Sequence, residues 1–158
     1  MSSGGRRRRS AREGGGPVTA GGGTLTIAYH HDPEVPVLSL SGEFDIENVA
    51  EIERFLHRHL GPFYFRNRDL VLDLHSVTLV DSTFLGLVVS LVRRLHANRH
   101  ELLITRPAGY VRRIIAVVGL PNLVPVYESL DEAFAALAVG VPVIPPPFEW
   151  APAPVSTR

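Results

Sequence analysis

Hydrophobic and polar positions change their period repeatedly along this chain, and each change marks an element. Thr24-Leu25-Thr26-Ile27-Ala28-Tyr29 alternates as a half-buried strand does. His30-His31-Asp32-Pro33 makes a turn, and Val35-Pro36-Val37-Leu38-Ser39-Leu40 predicts a second strand paired with the first as a hairpin. Pro36 suits an edge or a strand start, since it has no amide to donate. Gly42-Glu43-Phe44-Asp45 punctuates that strand, and Asp45 is placed to cap the following helix by accepting from its free amides. That helix, Ile46 to about Leu60, is expected to bury Ile46, Val49, Ile52, Phe55 and Leu56 and to end at Gly61-Pro62.

Leu70-Val71-Leu72-Asp73-Leu74 is a short apolar run of central-strand character. A second helix is predicted from Ser82 to about Asn98, with Leu85, Val88, Val89, Val92 and Leu95 as its core stripe and Arg93, Arg94 and His96 nearer water. Glu101 to Thr105 reads as a strand, and Ala108 to Val118 as a third helix stopped by Gly119 at a left-handed cap. Leu123 to Tyr127 gives a last strand that Pro125 keeps short or at an edge. Ser129-Leu130-Asp131-Glu132 has the spacing of a capping box and opens a final helix through Ala138. The order β-β-α-β-α-β-α-β-α predicts an α/β fold: a mostly parallel sheet after an initial hairpin, with right-handed crossovers and four helices.

Outside this domain, about Thr24 to Val139, the pattern stops. Met1 to Gly23 is Gly, Ser and Arg with almost nothing to bury, and reads as a mobile arm. Gly140 to Arg158 carries Pro142, Pro145, Pro146, Pro147, Pro152 and Pro154, a density that favours an extended tail. The absence of cysteine removes disulfides, thiol catalysis and cysteine-ligated metals together. No stretch approaches the roughly 18 apolar residues of a spanning helix, and the basic N-terminus has no apolar segment behind it, so a cytoplasmic location without a membrane is expected. Formal charge is zero, so the chain as a whole is not built to attract nucleic acid, although Arg6 to Arg9 and Arg12 crowd one end.

Little enzymatic chemistry is visible. Without lysine a Walker-type phosphate loop cannot form, and no G-x-G-x-x-G follows a strand, so no nucleotide cofactor is expected. His30, His31 and Asp32 lie in one turn and His96 and His100 are four apart, but neither group has a third ligand nearby, and His57 and His59 cannot share a helix face. Solvated surface histidine, with no metal, is the expectation for all of them. Ser82 and Thr83 are not in a nucleophile elbow, and no histidine is marked as their base. Asp81-Ser82-Thr83 is first an N-terminus signal: Asp81 or Ser82 accepts from first-turn amides, worth about 1 kcal/mol. The hydroxyl of Thr83 would then lie in the first turn, where free amides and the helix dipole favour an anion. A phosphate there adds about 1.5 to 2 negative charges beside Asp81 without breaking the fold, which is sound chemistry for a switched interface.

The segment from Leu70 through Gly86, with Asp81-Ser82-Thr83 at its centre, resembles the signature of the STAS domain family in its anti-sigma factor antagonist type. Ser41-Gly42-Glu43-Phe44-Asp45 is similar to that family's Gly-Glu-Leu-Asp turn. Pro107 through Leu120 and Tyr127 through Ala133 resemble its later helix and its closing segment, so the likeness covers about Leu25 to Leu137. The resemblance implies a non-enzymatic binding protein whose partner is an anti-sigma factor of the serine/threonine kinase type. It implies Thr83 as phosphoacceptor, Ser82 as the second choice, and Asp45, Asp81, Ser82, Thr83, Phe84 and Gly86 as the partner surface. Phe84 stands where the family commonly has glycine. The same fold also serves as a scaffold subunit of sensory or lipid-transport complexes, in which Thr83 would not be phosphorylated. Oligomeric state, a homodimer included, stays open.

Overall fold

The computed structural model describes residues 26–31, 35–66 and 68–140. The expected N-terminal arm and all of the proline-rich tail beyond Gly140 lie outside them. Five strands form one sheet in the order β1-β2-β3-β4-β5. They are β1 (Thr26–His31), β2 (Pro36–Phe44), β3 (Leu70–Val80), β4 (Leu102–Thr105) and β5 (Val126–Tyr127). β1 pairs antiparallel with β2, and every later neighbour is parallel. The helices are α1 (Val49–Leu60), α2 (Ser82–Ala97), α3 (Gly109–Val117) and α4 (Leu130–Val139). The α/β class, the hairpin start and the four helices follow the sequence pattern.

Alternation along the strands sorts the core into two layers. Leu38, Leu40, Leu70, Leu72, Leu74, Leu102 and Ile104 point to the face covered by α1, α2 and α3. Val37, Val71 and Leu103, one residue out of phase, meet Ala133 of α4 on the other face. The central strands β3 and β4 are therefore apolar on both sides, which is why they read as continuous runs. Beyond Val71 the second face turns polar. There Asp73 is buried beneath Arg106, and its carboxylate also accepts from Thr105 Oγ1 at 3.2 Å and, more loosely, from Ser39 Oγ at 3.4 Å.

Several boundaries differ from expectation. His30 and His31 belong to β1, not to a turn. β2 continues through Gly42-Glu43 to Phe44, and β3 continues through Val80, because the two strands stay paired past two register shifts. Gly42, with φ 100, supplies the backbone conformation one of these irregularities needs. α1 starts at Val49 and not at Ile46. In α2 the buried residues are Phe84, Leu87, Val88, Leu91, Val92 and Leu95, while Leu85 and Val89 are only half-buried. Leu120–Asn122 forms a 3-10 turn, which leaves β5 two residues.

The helix ends show their chemistry. Gly119 stops α3 with φ 73, the left-handed conformation expected of it. Ser129 caps α4 by accepting from the Glu132 amide at 3.1 Å, as its spacing predicts. The Glu132 carboxylate reaches one residue further back than a capping box requires, to the Glu128 amide at 3.1 Å. Ser129→Ala should therefore lower the unfolding free energy by about 1 kcal/mol in urea denaturation, with the slope unchanged.

At the end of the domain away from the α2 N-terminus, Arg94 of α2 donates to Glu53 of α1 at 3.1 Å, and the Tyr64 hydroxyl donates to the same carboxylate at 3.1 Å. Burial and the Glu53 carboxylate push the Tyr64 hydroxyl well above its ordinary range, so it stays a donor. This network ties the Tyr64–Arg66 turn to both helices.

Candidate functional site

The C-terminal ends of β2 and β3 lie side by side, since Glu43 pairs with Leu79 and Phe44 with Val80. Each strand leads into a helix through an aspartate. After β3, Asp81 takes extended backbone (φ −115, ψ −176) and becomes the N-cap of α2. Its Oδ1 accepts from the amides of Thr83 at 2.9 Å and Phe84 at 3.1 Å. After β2, Asp45 Oδ1 accepts from the amides of Glu47 at 2.9 Å and Asn48 at 3.2 Å, which closes a turn before α1 begins. The amide of Asp81 donates to the carbonyl of Phe44 at 3.2 Å and joins the two loops.

Asp45, Asp81, Ser82 and Thr83 thus share one end of the sheet. Ser82 is exposed, Thr83 is half-exposed, and Gly86 is exposed one turn along α2 with nothing within 4 Å of where a Cβ would stand. Phe84 departs from its assignment to the partner surface. Its ring is 0% exposed and packs on the equally buried Phe44 ring, centroids 5.6 Å apart. The ring fills the core between β2 and α2.

The electrostatics also differ from the sequence expectation in one respect. The amides of Thr83 and Phe84 are not free for an added anion, because the Asp81 carboxylate already holds both. A charge placed on the Thr83 hydroxyl would sit beside a negative group that has taken the helix end.

Two neighbours of the site were not expected. Ile46, read as the first core residue of α1, is 73% exposed. Asn48 is the true N-cap residue, 3% exposed; its Nδ2 donates to the Glu43 carbonyl at 2.8 Å, while its Oδ1 has no hydrogen-bond partner. The signal was legible: aspartate followed three residues later by asparagine is turn chemistry, and it competes with the apolar period. His96 faces Glu101 at 3.0 Å, His100 lies between the Arg66 carbonyl and Asp69, and among the described residues no group of three or more His, Asp or Glu side chains could hold an ion. Among the same residues, no helix is long and apolar enough to cross a membrane.

Known proteins share this arrangement. The family model described as "Mlab, STAS domain" matches residues 27–125. An anti-sigma-B factor antagonist of Staphylococcus aureus is 32% identical over 96 residues, 60% of this chain and 84% of that protein. An anti-sigma factor antagonist from Mycobacterium paratuberculosis superposes with TM-score 0.59 at 26% identity, over 72% of this chain and 94% of that one. SpoIIAA has the same fold: its unphosphorylated form gives TM-score 0.59 at 21% identity, over 74% of this chain and 100% of that one. The phosphorylated form from Bacillus gives 0.55 at 19%, over 71% and 99%. With its two Asp-ended loops joined at one end of a five-stranded sheet, the chain belongs to the STAS domain family, in its anti-sigma factor antagonist type.

Proposed function

We propose that this chain is a phosphorylation-switched binding protein that sequesters an anti-sigma factor of the serine/threonine kinase type and so frees a sigma factor for transcription. The observation that carries this reading is the cap geometry at Thr83. A hydroxyl presented in the first turn of α2 is within reach of a partner, and Asp81 already occupies the amides that would otherwise absorb a new charge. A phosphate on Thr83 therefore changes the surface and leaves the fold in place. The kinase supplies ATP and performs the transfer; this chain supplies the acceptor and performs no catalysis.

Ser82 is the more exposed hydroxyl and the second candidate acceptor. Incubating the chain with ATP and each purified anti-sigma kinase of the producing organism, then mapping the product by mass spectrometry, decides between them. Thr83 is the expected site; modification confined to Ser82, or absent from both, removes the assignment. Thr83→Glu should weaken kinase binding by about tenfold, or 1.4 kcal/mol, whereas Thr83→Ala should bind as the unmodified chain does.

One rival reading on the same fold is a scaffold subunit of a sensory or lipid-transport complex that is never phosphorylated. Equal affinities of the Glu and Ala variants would establish that rival.

A further inference from the structure

We propose that the Asp45-Ile46-Glu47 turn is a preformed docking contact that selects the partner, with Ile46 entering an apolar socket rimmed by arginine or lysine on the anti-sigma kinase. This rests on the reading above and adds to it a contact separate from the acceptor hydroxyl.

Ile46 is 73% exposed, and Leu79, on the strand beside it, is 39% exposed. Both lie at the end of the sheet that carries Thr83, whereas the other exposed large hydrophobic residues among the described ones, Phe63, Tyr110, Val117 and Val139, belong to other segments. The turn that presents Ile46 is closed from several directions. Asp45 Oδ1 holds the Glu47 and Asn48 amides, the Asp45 carbonyl accepts from Asn48 at 3.1 Å and Val49 at 3.0 Å, and Asn48 Nδ2 holds the Glu43 carbonyl. A side chain on so fixed a turn loses little freedom on binding, the property that makes an apolar anchor effective. The turn is also not optimised for the free chain: it exposes a large aliphatic residue and leaves Asn48 Oδ1 unsatisfied at its base.

Charge indicates the chemistry of the partner. Every charged residue in segments 41–48 and 76–86 is acidic, namely Glu43, Asp45, Glu47 and Asp81. Arg54, further along α1, is paired with Glu51. A complementary surface is basic around an apolar centre.

The test uses the full chain and the kinase that modifies Thr83. Ile46→Ala should weaken binding about tenfold by calorimetry, with an unchanged thermal midpoint, since the side chain touches no core. In phosphoryl transfer its KM should rise while kcat holds, the mark of lost uniform binding. Glu47→Arg should weaken binding most at low salt and flatten its salt dependence. Unchanged affinity of Ile46→Ala, alongside a Thr83→Glu variant weakened about tenfold, overturns this inference and leaves the switch intact. Failure of every kinase to bind the wild-type chain removes both.

Discussion

Arg106→Ala is expected to lower the unfolding free energy by about 3 kcal/mol, measured by urea denaturation. Asp73 lies in the middle of β3 with its side chain only 4% exposed, while the Arg106 side chain is 38% exposed. Arg106 donates from Nε to Oδ1 at 3.0 Å and from Nη2 to Oδ2 at 2.6 Å, a two-pronged pairing. Hydrogen bonding to Asp73 outweighs desolvation and holds the guanidinium above its already high range. Removing the arginine leaves a buried carboxylate with two hydroxyl contacts and no cation. Breaking a fully buried pair costs about 3–5 kcal/mol. The low end applies because water can enter where Arg106 was partly exposed.

Two companion variants separate charge from backbone. Arg106 sits at φ 54, a left-handed conformation that suits glycine better than alanine. Arg106→Gly should therefore be less harmful than Arg106→Ala by about 1 kcal/mol. Adding Asp73→Asn to Arg106→Ala should recover much of the loss, because the unpaired charge is then gone. A double variant no more stable than Arg106→Ala would show that packing, not charge, fixes the β4–α3 loop.

This ion pair marks the limit of what the pattern of residues conveyed. Asp73 was read as part of an apolar run, and nothing in the spacing between Asp73 and Arg106 announces that they meet. Their pairing depends on β3 and β4 lying in register, Asp73 against Thr105. Local features were more legible. A cap of α2 at Asp81 or Ser82, Gly119 as the stop of α3 and Ser129 as the cap of α4 all depend on a few consecutive residues, and all three features are present, with Asp81 taking the first.

Boundaries failed where pairing between distant strands overrode local punctuation. Gly42 looked like the end of β2, but β3 runs on beside it to Val80 and holds it in the sheet. Ile46 failed for a different reason. It fits the apolar period of α1, yet the hydrogen bonds of Asp45 close a turn first and turn its side chain outward. The phase of α2 was misread by the same kind of conflict. A stripe through Leu85 and Val89 leaves out Phe84, Leu87 and Leu91, which the position of the Asp81 cap turns toward the sheet.

The second large effect is expected at Phe84. Phe84→Ala should cost about 3–5 kcal/mol, the range for removing a buried aromatic side chain from a packed core. The ring is fully buried against Phe44 and stands where the end of β2 meets the first turn of α2, so its loss opens a cavity beneath Thr83. Phe84→Gly should cost somewhat more, by about 0.5–1 kcal/mol, since glycine loses more backbone freedom on folding than alanine. Glycine is thus expected to be the worst of these substitutions here, because the surrounding core is packed around a ring. Phe84→Leu keeps most of the volume and gives the functional test. If the ring acts only from the core, this variant should lose some stability yet bind the proposed kinase partner with wild-type affinity once folded. A Phe84→Leu variant that keeps its thermal midpoint but loses the kinase would place the ring at the interface after all, against its burial.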